Sequence, residues 1–131
     1  MVRIYFNEFF KMIIKKSTCQ VGEKAEWYIK NLYEQEEYSL VEKNYRYKRC
    51  EIDLIFKKED LLVFVEVKFR KSKSFGNPEE FVSADQQDRI MEAADNFILE
   101  KKWTKNIRFD IAAVSFSSDQ KIMHEIFYDV F

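Results

Sequence analysis

The stretch EIDLIFKKEDLLVFVEVKFR sets four charged side chains among its apolar strand residues, Glu51, Asp53, Glu66 and Lys68, that could together bind a cation and act on a phosphate. The stretch reads as two strands, Glu51 to Phe56 and Leu61 to Arg70, joined by the polar segment Lys57 to Asp60. Strand side chains alternate, so Glu51, Asp53 and Ile55 are expected on one face, and Phe64, Glu66 and Lys68 on one face of the second strand. A turn centred on Glu59 and Asp60 sets Asp53 opposite Glu66 and Glu51 opposite Lys68. Ionised carboxylates on strands built for burial lose hydration and repel one another unless a cation compensates. A hard divalent metal would do so. The plainer reading of Glu66 and Lys68 is an ion pair on a solvated sheet face.

The same register brings Lys48 and Arg49, before the first strand, towards Arg70 and Lys71, which leave the second. The segments Lys43 to Arg49 and Lys68 to Lys73 carry four basic residues each and no acid. Such an edge suits a phosphate backbone. The chain as a whole does not, because its formal net charge is −1; any nucleic acid is expected to be held locally.

The remaining elements must position this hairpin. With 131 residues the chain suits one domain with a real core. Two cysteines, Cys19 and Cys50, and a single histidine, His124, make neither a disulfide framework nor a zinc-ligand spacing. Reduced thiols in the cytoplasm are the expectation. No apolar run is long enough for stable membrane insertion, and the N-terminus lacks a signal-peptide pattern.

Residues 1 to 21 form an N-terminal amphipathic extension, with Phe6, Phe9, Phe10, Ile13 and Ile14 at helical spacing. The domain proper spans 22 to 131. Gly22 to Gln35 is a helix by the spacing of Ala25, Tyr28, Ile29, Leu32 and Tyr33, with Glu23 in its first turn, where the helix dipole favours an acid. Tyr38 to Tyr47 is a third strand. Ser83 and Gln86 have capping-box spacing and open a helix over Ala84 to Lys101, with Ile90, Met91, Ala94, Phe97 and Ile98 as its apolar face. Strands follow at Arg108 to Phe116 and Ile122 to Val130. The order αβββαββ, after an extra N-terminal helix, implies an α/β (α+β) fold with one mixed sheet of about five strands flanked by helices.

GE at Gly22 and Glu23, N-x-R at Asn44 and Arg46, EIDLI at Glu51 to Ile55, FVEVKFR at Phe64 to Arg70, FG at Phe75 and Gly76, and RFD at Arg108 to Asp110 together resemble the YraN-type uncharacterised family. That family is assigned to the restriction-endonuclease-like PD-(D/E)XK nuclease fold and is similar to archaeal Holliday-junction resolvases. The resemblance covers about Gly22 to Phe116. It implies that Asp53 and Glu66 are metal-binding acids joined by the backbone carbonyl of Val67, that Lys68 is the motif lysine and that Glu23 is the acid of the first helix. Two positions depart from the pattern: Cys50 replaces a glycine before EIDL, and Gln86 replaces a lysine on the second helix.

On this basis the chain is expected to be a Mg²⁺- or Mn²⁺-dependent endonuclease acting on DNA, branched DNA such as a four-way junction included, for which a twofold homodimer would suit. Lys68 reads as an electrostatic stabiliser rather than a base. Glu51 and Gln87 are auxiliary candidates, Glu51 also as a partner of Lys68 and Gln87 also as an ordinary exposed helix residue. Tyr45, Tyr47 and Phe69 suit base stacking or, more plainly, the strand core. The alternative function is a nucleic-acid or protein binding module that keeps the fold without turnover.

Overall fold

The computed structural model describes residues 18–70, 80, 82–116 and 121–131. The N-terminal helix expected within 1 to 21 lies largely outside them, as do Lys71, Phe75 and Gly76. The elements are α1 (Thr18–Gln35), β1 (Ser39–Tyr47), β2 (Cys50–Lys58), β3 (Leu61–Arg70), α2 (Ala84–Lys101), β4 (Asn106–Phe116) and β5 (Ile122–Phe127). They form one five-stranded sheet in sequence order, antiparallel throughout except for the parallel β3–β4 pair. Among the described residues no helix is long and apolar enough to cross a membrane.

The order αβββαββ is the expected one, and the layers explain its hydrophobic pattern. Tyr28, Ile29 and Tyr33 of α1 pack on Leu54, Phe56, Val63, Val65 and Val114 on one sheet face. Ile90, Ala93, Ala94 and Phe97 of α2 pack with Ile52, Ile55, Leu62, Phe64 and Phe109 in the other core cluster. Strand β3 is covered from both sides, which is why Leu62 to Val65 is an unbroken apolar run rather than an alternating one.

The expected ends of α2 agree with its caps. The Gln86 N–H donates to Ser83 Oγ at 3.2 Å, and Lys102, in the left-handed region at φ 53°, closes the C-terminus with its N–H donating to Leu99 O. Its buried face differs by one position. Ala93 is buried and Met91 exposed, because the i, i+3, i+4, i+7 stripe drawn from Ile90 runs through Ala93, Ala94 and Phe97. Helix α1 starts at Thr18 rather than Gly22, since Val21 already belongs to its buried stripe. Glu23 therefore lies beyond the first turn, which holds no acid, and the helix dipole gives no reason for it.

Candidate functional site

The site is made where two strands part. The β2–β3 ladder runs from Lys58↔Leu61 to Leu54↔Val65 and goes no further, although β2 continues to Cys50 and β3 to Arg70. Just beyond the last pair, the Val67 N–H donates to Asp53 Oδ2 at 2.8 Å. A carboxylate thus replaces the backbone acceptor that a continued ladder would have supplied, so the amide is not left unpaired. The N–H and C=O of one extended residue point to the same strand edge, so the Val67 carbonyl faces the same opening.

The ladder has the register expected from the sequence, but its extension to Asp53↔Glu66 and Glu51↔Lys68 is not made. Glu51 instead pairs with Arg46 at 2.9 Å, since β1 stays paired with β2 where β3 has left it. The strict alternation expected of Glu51, Asp53 and Ile55 also breaks: Ile52 and Ile55, three apart, both join the α2-side core. The break lies between the Lys43↔Leu54 and Tyr45↔Ile52 pairs, where Asn44 has φ 52°.

Asp53 and Glu66 nevertheless line one cavity of about 290 Å³, which Arg49 and Glu51 enter from the β1–β2 side and Gln86 and Arg89 from α2. Burial, then the Asp53 carboxylate, pushes the Glu66 carboxyl up to about 10, while Lys68 pulls it down. Glu26 of α1 is the second acid so affected: burial first, then Asp53 and Glu51, raise it to about 7. Four carboxylates from three elements therefore act on one another with incomplete compensation.

In the metal-free protein this has a measurable consequence. Between the ordinary value of 4.5 and about 10, the unfolded chain has released the Glu66 proton and the folded one keeps it. Stability should fall as pH rises through that window, by at most about 1.4 kcal/mol per pH unit. Glu66→Gln is expected to flatten the fall, so that in urea unfolding with EDTA its advantage over the wild type is larger at pH about 8.5 than at pH about 6. A constant offset at the two pH values would contradict it.

The other expected residues divide clearly. Lys68 is half-buried on β3, and its charge reaches Glu66. Glu23 is exposed on α1; the acid of that helix whose carboxyl responds to Asp53 is Glu26, three residues on. Gln86 lines the cavity, whereas the Gln87 amide donates to Val82 O at 3.4 Å. Of the expected basic edge, Arg49 is in the cavity, Lys48 approaches Glu92 at 3.9 Å, and Arg70 ends β3, away from β2. Tyr45 is a core residue, its hydroxyl donating to Glu100 and accepting from Asn96, and Tyr47 and Phe69 are half-buried against the two core clusters. Cys50 is buried and free, with its thiol pushed up by burial and then by Glu92, while His124 bonds Tyr28 instead; a thiolate nucleophile does not fit.

Arg89 and Glu26 were not singled out from the sequence. Arg89 follows Gln86 by three residues, one turn along the same helix face, and that spacing was the signal available. Glu26 has the same relation to Glu23.

Residues 25–114 match the model of the uncharacterised protein family UPF0102. The chain belongs to that family. UPF0102 is the YraN-type family whose motifs the sequence carries. The chain is similar to a UPF0102 protein of Clostridium perfringens, 38% identical over 81% of this chain and 88% of the relative, and to one of Alkaliphilus metalliredigens, 40% identical over 78% and 90%. A UPF0102 protein of Christiangramia forsetii is 35% identical over 72% and 80%. UPF0102 membership establishes kinship rather than chemistry.

Does the donor set fit a divalent cation? Among the described residues, no three His, Cys, Asp or Glu side chains form a ready-made cage. Mg²⁺ does not need one, since it commonly keeps several waters and takes one or two carboxylates with substrate oxygens. Asp53 and Glu66 are hard oxygen donors in one cavity, and the raised Glu66 carboxyl marks negative charge that a cation would relieve. The residues fit.

Proposed function

We propose that this UPF0102 protein is a metal-dependent endonuclease that hydrolyses phosphodiester bonds of DNA, branched DNA included. The observation that carries the reading is the meeting of Asp53 and Glu66 with two arginines, Arg49 and Arg89, in one cavity where β2 and β3 part. The likeness of its motifs to the PD-(D/E)XK nucleases and archaeal resolvases supports it.

Asp53 and Glu66, with the Val67 carbonyl, would hold Mg²⁺ or Mn²⁺, which when bound polarises a phosphoryl oxygen and makes a water more acidic. The chain's own groups supply the rest. Arg49 and Arg89 hold the phosphate by charge and by their forked donors. The Arg89 Nε–H donates to Asp85 O at 3.3 Å, which orients the guanidinium from the first turn of α2. Lys68 stabilises negative charge that grows in the transition state.

Cleavage is expected with Mg²⁺ or Mn²⁺ on at least one of linear, flapped, single-stranded and four-way-junction DNA. A twofold dimer would suit symmetric cutting of the last. Binding by the double variant Arg49→Ala/Arg89→Ala should weaken on every sequence and lose about one unit of salt slope per arginine. An unchanged slope would remove the arginines from the phosphate site. Absence of cleavage on all four substrates would leave a binding module.

A further inference from the structure

A second cavity, also of about 290 Å³, lies on the α1 side of the sheet, lined by α1 and by Lys43, Asn44 and Leu54. Glu26 lines it, and Glu26 responds to Asp53 and Glu51, which line the first cavity.

Its wall is built by a large aromatic among lysines. Trp27 lies off the buried stripe of α1 and is 38% exposed. Lys24 and Lys30, three residues before and after it, share its helix face, and Lys43 of β1 closes the opposite side. Beside Lys43, the left-handed backbone of Asn44 breaks the regular strand. Lys30 reaches Glu34 at 3.3 Å in an exposed i,i+4 pair, a weak tie that a ligand can replace. The acids in the wall, Glu23 and Glu26, disfavour a phosphate inside the cavity and accept hydrogen bonds from the N–H edges of a base. An aromatic face with lysines at the rim is the construction that stacks a base and tracks its backbone.

We propose that this cavity is a nucleobase pocket: Trp27 stacks one unpaired base, and Lys24, Lys30 and Lys43 hold the phosphates flanking it. Resting on the nuclease reading, the base belongs to the strand whose phosphodiester lies at Asp53 and Glu66. A base inside a duplex is already stacked and has no free face, so the pocket selects DNA with an unpaired nucleotide near the cut, as in a flap, a single strand or a junction. It gives the site a preference for structure that the carboxylates and arginines alone do not supply.

Tryptophan fluorescence tests this directly on the full chain in EDTA, where no turnover occurs. In a Trp103→Phe background, Trp27 is the sole tryptophan. A single-stranded oligonucleotide is expected to quench its emission. Trp27→Ala, followed by anisotropy of a labelled oligonucleotide, should weaken single-strand binding by about fivefold or more, the lower range of base stacking, and blunt-duplex binding by less than about twofold. Trp27→Phe keeps a ring and should recover most of the affinity, which separates stacking from misfolding. Quenching without cleavage under any metal keeps the pocket and removes the nuclease. Cleavage with no quenching, or with Trp27→Ala affecting single strand and duplex equally, removes the pocket and keeps the nuclease.

Discussion

Arg108→Ala is expected to destabilise the protein by about 3–5 kcal/mol, because it leaves a buried carboxylate without its cation. Asp110 is 1% exposed. Arg108 meets it with two donors, Nε to Oδ1 at 2.9 Å and Nη2 to Oδ2 at 2.8 Å. The Tyr33 hydroxyl donates to Oδ2 at 2.7 Å, and the Asp129 N–H to Oδ1 at 3.0 Å. Burial and Asp110 hold the Tyr33 hydroxyl protonated, and the hydrogen bond to Asp110 raises Arg108, so the guanidinium keeps its charge. The network joins α1, β4 and the C-terminal segment. Urea unfolding checks the cost, with two controls. Arg108→Lys keeps the charge but not the fork and should recover only part of the loss. The double variant Arg108→Met/Asp110→Leu should cost less than Arg108→Ala alone, since removing both charges leaves no orphan. A single-variant cost below about 1 kcal/mol, the range of exposed pairs, would mean that water still reaches Asp110.

RFD thus turns out to be a structural motif, whereas EIDLI and FVEVKFR bring Asp53 and Glu66 to the site, and that contrast shows what could be read in advance. Patterns confined to one element were legible: β3 over Leu61–Arg70, α2 over Ala84–Lys101 from Ser83, and the register of the hairpin about Glu59 and Asp60. Competition between elements was not. Whether a ladder continues depends on whether a side chain takes over a backbone donor, as Asp53 does for Val67, and residue alternation carries no trace of that. The exchange of Lys68 for Arg46 as the Glu51 partner follows from the same divergence. The choice of Glu26 over Glu23 depends on the roll of α1 against the sheet. Arg89 enters the site only through the docking of α2 beside the hairpin.

The largest functional effect is expected at the carboxylate pair. Asp53→Asn should abolish divalent-metal binding and DNA cleavage while preserving the fold, because the asparagine carbonyl still accepts the Val67 N–H. Glu66→Gln should do the same and, by removing the cost of holding that carboxyl protonated at neutral pH, stabilise the metal-free protein. Lys68→Ala should leave metal affinity within about twofold of wild type and still remove most of the turnover, as expected of a group that matters chiefly in the transition state. Loss of metal affinity in Lys68→Ala would instead place the lysine in the cation site's support.

Calorimetric titration of Mn²⁺ into the purified full chain, wild type beside Asp53→Asn and Glu66→Gln, tests the metal site most directly. One saturable site per chain is expected in the wild type and none in either variant. No binding in the wild type, or binding that survives both substitutions, would contradict a metal centre at Asp53 and Glu66.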